Sequence, residues 1–318
     1  APPRLGLLGA SLGGAGVQWP SPSRSIAPSG ALTSRGPAPG GLPARVHSFH
    51  AGRSTPPAVR ANPSQVIAPG DVLCVRSSDR LKAVGTVGGC LGHVLLAVSP
   101  VRIIKWGTPE AEDLADVLPD TSVWPLWSVT TIESTRDAEG LHQADLLLHV
   151  DEVTGQLRAV GELEEGCGFA AYDQQPIEVW QAPAELRAHF NTGLMQEVLG
   201  EMKKREASWS LATAARALLV PACLAESVDA SAMLQEVQRC WRAKPICTSV
   251  VISFWQRYLC RLAELALAPA VGPVDLILKW MPVKADRTLP GELLSSMLRC
   301  GWVLLPRVPR ACIRFYTL

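Results

Sequence analysis

The order of segments in this chain predicts an α+β fold built on an antiparallel sheet. Between residues 72 and 181 the apolar runs are short, rich in β-branched residues and separated by turn residues. Between 183 and 301 apolar residues recur three and four apart, behind proline or polar starts. Strands grouped first and helices afterwards argue against the alternating βα order of a parallel sheet. A third observation confines the fold to part of the chain. Residues 1–70 hold six arginines, no lysine and no acid, with 12 of the 26 prolines and 11 of the 26 glycines. Such a stretch cannot offset the entropy of ordering, so residues 1–65 are expected to be a disordered extension. An organelle-targeting remnant has the same Arg- and Ser-containing, acid-free character, and a chain starting at Ala1 reads as a fragment or a processed form. Residues 66–318 are then the folded domain.

Its elements read as follows. Pro69-Gly70-Asp71 is turn chemistry, and Val72–Val75 is a short buried strand. "GHVLLAVSPVRIIKW" (92–106) is one strand, or two split at Pro100, and the acid-rich 107–126 reads as a polar loop. "WSVTTIEST" (127–135) is a strand by its β-branched content, and 146–164 is a hairpin turning on Asp151 and Gly155. "IEVWQ" (177–181) ends the sheet. Helices are expected from Pro183 through 207, over 209–220 and 229–243, from Cys247 to 262, and from Pro290 to a stop at Gly301. The three segments between 183 and 243 form a helical insertion.

Composition narrows the function. The net charge is +1, and outside the first 70 residues 24 basic face 29 acidic residues, so no nucleic acid is expected as a partner. No uncharged run approaches the roughly 18–20 residues needed to cross a bilayer, so no integral membrane segment is expected. Nine irregularly spaced cysteines with no CxxC pair argue for reduced thiols and an intracellular setting. With six scattered histidines they make no recognisable zinc pattern, and neither metal nor cofactor is expected.

One segment asks for chemistry. In "KPICTSVVISFWQRYL" (244–259), Cys247 stands in the first turn of a helix, where free N–H groups and the helix dipole favour an anion. A thiolate would be stabilised there and its pKa lowered, and the same N–H groups can receive an oxyanion. A lone cysteine in such a place is more often packing than nucleophile, so a base is required. Of the six histidines, His47 and His50 lie in the extension. His142 and His189 sit in polar surroundings, and His149 lies within a hairpin strand. His93 alone opens a strand, directly after Gly92. If 93–98 and 128–135 are antiparallel neighbours, Glu133 falls near His93 and can orient its ring.

In this order, "PGDVLCVRSS…GHVLLAV…VTTIEST…PICTSVVISFWQRYL" resembles the circularly permuted papain-like superfamily, which includes permuted NlpC-type amidases and lecithin–retinol acyltransferase relatives. The likeness spans about residues 66–300, and "TLPGELL" is similar to the proline-led segment that follows the cysteine helix there. It implies a sheet or half-barrel packed on the cysteine helix. Cys247 would be the nucleophile, His93 the base and Glu133 the orienting residue. Thr248 in place of a common serine, and the long insertion at 183–243, depart from the compact members. The implied activity is hydrolysis of an amide bond in a peptide, isopeptide or cell-wall-like substrate through an acyl-enzyme. Alternatives are transfer of the acyl group, action on a lipid ester, or a catalytically silent binding module.

Overall fold

Eight antiparallel strands and seven helices make up the described part of the chain in a computed structural model. Described are residues 65–75, 93–118, 123–134, 141–164, 168–204, 213, 229–241, 245–265, 272–305 and 307–309. The expected extension, but for Gln65, and all of the 209–220 helix but Thr213, lie outside them.

The strands are β1 (Val72–Val75), β2 (His93–Ala97), β3 (Arg102–Ile104), β4 (Leu126–Glu133), β5 (His142–Val150), β6 (Leu157–Glu164), β7 (Gly168–Gln181) and β8 (Val303–Leu305). Neighbours run β1-β2-β4-β5-β6-β7, and β7 pairs with β1 again, so six strands close into a barrel. β3 hangs on β4, and β8 extends β7.

Alternation along the strands separates the barrel interior from its outer face. On that outer face one cluster forms under the later helices, and a smaller one of Ile104, Leu126, Leu147 and Val160 forms with Ala111 and Leu114 of the 109–115 helix. Leu73, Val75, Leu95, Ala97, Trp127, Val129, Leu146, Leu148, Ala159 and Val179 pack inside the barrel. Val72, Cys74, Val94, Leu96 and Ile132 face outward, where helices cover them.

Those helices are α2 (Ala184–Ala188), α3 (Thr192–Lys203), α4 (Ala230–Trp241), α5 (Cys247–Glu264), α6 (Pro273–Trp280) and α7 (Pro290–Arg299), while α1 (Pro109–Ala115) lies among the strands in sequence. At the centre is α5, with 13 of its 18 residues buried, which is why its sequence is apolar on nearly all sides.

Three differences from the sequence reading have local causes. The expected polar loop at 107–126 contains α1. Thr108 caps it by accepting the Ala111 N–H at 3.3 Å, Pro109 occupies its first turn, and Glu110 and Glu112 meet its positive end. The helix expected from Pro183 is two helices, because Asn191 leaves the helical conformation to cap α3 through the Leu194 N–H. The strand expected at 177–181 starts at Gly168, and α6 and β8 are additional.

Candidate functional site

Cys247 is the first residue of α5, after Pro245 and an extended Ile246. The two hydroxyls that follow it are anchors. Thr248 Oγ1 donates to the Thr288 carbonyl at 2.6 Å, and Ser249 Oγ donates to the Ala285 carbonyl at 2.6 Å while accepting the Ile246 N–H at 3.1 Å. Further along, Gln256 donates to the Met281 and Val283 carbonyls. Trp255 Nε1 donates to the Gly70 carbonyl at 3.2 Å. Gly70 has φ +91°, and a Cβ there would lie 2.8 Å from Phe190 and 2.9 Å from Trp255, so only glycine fits. Next to it, the buried Asp71 carboxylate accepts the Ala68 and Ala182 N–H groups and two contacts from Arg187 at 2.5 and 2.6 Å. The Pro-Gly-Asp turn thus fixes the start of β1 to α2 and, through Trp255, the rotation of α5.

The strands supply the other half. β2 and β4 are antiparallel with Leu96 opposite Ile132 and Ala97 opposite Thr131. His93 shares a face with Leu95 and Ala97, and Glu133 shares it with Val129 and Thr131. At the end of this pairing His93 Nε2 touches Glu133 Oε2. Glu133 lies directly opposite His142 on β5. Glu162 on β6 joins them, and one ligand-type atom from each of Glu133, His142 and Glu162 lies within 4.8 Å of the others. Glu133 and Glu162 are 2% and 4% exposed. Cys247 comes to the same end of the barrel: its sulfur is met by the N–H groups of Val94, Thr248 and Cys247 itself, and feels the charge of Glu133.

The charge states follow from this crowding. Burial, followed by repulsion from His142, holds the His93 imidazolium unfavourable and brings its pKa down to about 4. Burial pushes the Cys247 thiol up to about 11. The Glu133 charge adds to the rise, and the three N–H groups oppose it. The expected depression of this thiol at a helix start is therefore overturned: loss of water outweighs the helix terminus. At neutral pH Cys247 rests as a thiol and His93 as a neutral imidazole.

The three residues singled out in the sequence thus fall at one place: His93 and Glu133 touch, and Cys247 stands against the residue following His93. His142, with its polar neighbours in sequence, and Glu162, within the expected hairpin, carry no local signal of a site; the ring of strands brings both to Glu133. A search for zinc spacing among cysteines and histidines misses this group because two of its three members are carboxylates.

Comparison with protein-family models, with curated proteins and with solved structures finds no match to this chain. What it does must be read from the site itself. Among the described residues no helix is long and apolar enough to cross a membrane.

Proposed function

We propose that this protein is a cysteine-nucleophile hydrolase acting on an amide bond through an acyl-enzyme, on a circularly permuted papain-like arrangement. The observation that carries the reading is a thiol at a helix N-terminus, met by the N–H of the residue after His93 and within reach of the Glu133 charge, at the barrel end where His93 and Glu133 touch. Because Nε2 of His93 faces Glu133, its proton is donated there, and Nδ1 is the nitrogen left to act as base. The sulfur attacks the carbonyl carbon as its proton passes to His93, and the amides at the start of α5 face the charge that develops on oxygen. His93 then returns the proton to the leaving nitrogen as the C–N bond breaks, leaving a thioester. Water, deprotonated by His93, attacks the thioester, and Cys247 departs with the proton. Glu133 holds the ring tautomer throughout. Transfer to an amine or lipid hydroxyl instead of water uses the same acyl-enzyme. A silent binding module is the reading favoured by the high thiol pKa taken alone.

Incubation of the full chain with a panel of activated amide, ester and thioester acyl donors, read by intact-protein and peptide mass spectrometry, separates these. One acyl adduct at Cys247 that turns over is expected, with Glu133→Gln slowing it about tenfold, since an amide oxygen can still accept the ring proton. Adducts spread at similar slow rates over the nine cysteines would sink the hydrolase and leave the binding module.

A further inference from the structure

We propose that Glu133, His142 and Glu162 form a binding site for a divalent transition-metal ion at the end of the barrel. The three side chains come from three consecutive strands of the ring, β4, β5 and β6, and the first two are directly opposed in register. Their donor atoms lie within 4.8 Å of one another. Bonds of about 2.0–2.2 Å to nitrogen and carboxylate oxygen place such atoms on the order of 3–4 Å apart, so small χ rotations close the shell. Strands hold the ligands more rigidly than loops would. Two carboxylates converge here at 2% and 4% exposure, and a cation between them offsets the mutual repulsion of their charges. The imidazole selects a borderline ion such as Zn²⁺ over Mg²⁺ or Ca²⁺, which take all-oxygen shells. His93, in contact with Glu133, is the outer partner that orients a ligating carboxylate.

The other group of ligand-type side chains, Glu236, Cys240 and Asp286, shows what excludes a metal. Arg239 already binds Glu236 at 2.7 Å and Asp286 at 3.0 Å, and Lys284 lies 3.9 Å from Glu236. An ion there would meet a guanidinium. The barrel-end group offers an imidazole and two carboxylates as donors.

Binding draws on the carboxylate that orients His93, so zinc would inhibit the enzyme; that consequence alone rests on the hydrolase reading. The test uses the full chain, stripped by a chelator and dialysed, titrated with Zn²⁺ against a competing chromophoric chelator. One tight equivalent is expected, at least tenfold weakened in His142→Ala and Glu162→Gln and retained in Cys247→Ala, with Mg²⁺ unable to compete. Since either ligand variant could fail to fold, Co²⁺ is added to the wild-type chain as well. Its d–d bands should appear without a thiolate charge-transfer band. Full-strength binding in both variants, loss in Cys247→Ala, a thiolate band on the tight equivalent, or effective competition by Mg²⁺ would each overturn the site. Acylation of Cys247 is measured without metal, so failure of the hydrolase and failure of the metal site are read separately.

Discussion

Two cysteines seven positions apart end up in opposite kinds of corner. Cys240, near the end of α4, is buried and donates its S–H to Asp286 at 3.2 Å, while Arg239 ties the same carboxylate to Glu236. Cys247, at the start of α5, meets amide hydrogens, one of them from Val94 next to His93, and feels the charge of Glu133. Burial is the main cause of a raised pKa in both, to about 12 for Cys240 and about 11 for Cys247. Acidity therefore does not distinguish them. The surroundings do: the Cys240 thiol donates to a carboxylate already held by arginine, whereas Cys247 stands at the barrel end that holds the His93–Glu133 pair.

The largest test of this contrast is functional. Cys247→Ala and His93→Ala should each lower turnover of the acyl donor at least about a thousandfold, roughly 4 kcal/mol of barrier. The double variant should be little worse than either, as for groups that act as a unit. Cys240→Ala should retain turnover within about twofold, since nothing in its corner meets a reacting atom. Steady-state rates of the four proteins decide it. Equal losses in Cys240→Ala and Cys247→Ala would erase the distinction.

The second test is stability at the Cys240 corner. Arg239→Ala leaves the buried Asp286 without its main cation. Loss of one partner of a buried pair costs about 3–5 kcal/mol, and the half-exposed guanidinium reduces this to about 2. The pH dependence carries the sign. Burial opposes ionisation of Asp286, but hydrogen bonds from Cys240 and Arg239 and the nearby arginine charges together hold its carboxyl below the usual range. The Arg239 hydrogen bond does the same for Glu236. Groups with depressed folded pKa values contribute stability above the ordinary carboxylate pKa, near 4, and lose it as pH falls through the folded values. Urea unfolding at neutral pH and at about pH 3 should therefore show a smaller acid loss in Arg239→Ala than in the wild type. An unchanged acid loss would mean the carboxylates are held by something else.

Much of this arrangement is legible in the sequence. β-branched runs located β4, Pro100 split β2 from β3, and the Asp151–Gly155 turn joined β5 to β6, because these signals are local. The start of α5 was legible for the same reason. Two strands guessed to be neighbours brought Glu133 to His93. What stayed hidden was long-range. The closure of β7 onto β1 and the convergence of β6 on β4 and β5 need the register of the whole ring, and a one-residue slip would turn Glu162 outward. The Pro-Gly-Asp turn was recognised as a motif, but its physical work was not: Gly70 and Asp71 act on Trp255 and Arg187, more than 110 positions away in sequence. The raised thiol pKa is not legible because a helix terminus can be read from sequence and burial of a sulfur cannot.

The smallest effect gives the sharpest comparison. Cys240→Ala removes the S–H donor to Asp286 Oδ1, which Arg287 also approaches at 3.7 Å. Loss of one hydrogen bond to a buried charged acceptor costs about 1–3 kcal/mol, and the weakness of a thiol donor places this near 1. Cys240→Ser keeps a donor in the same place and should recover about half of it, limited by the shorter reach of oxygen. Cys247→Ala should behave oppositely. Its sulfur is crowded by the Glu133 charge, and truncating such a group relieves a functional strain rather than a packing contact, so stability should hold or rise by a few tenths of a kcal/mol. Thermal and urea unfolding of the three single variants at neutral pH measures the sign as well as the size. Cys247→Ala losing as much stability as Cys240→Ala would make Cys247 a second packing thiol, and the His93–Glu133 pair would then face a residue with no chemical task.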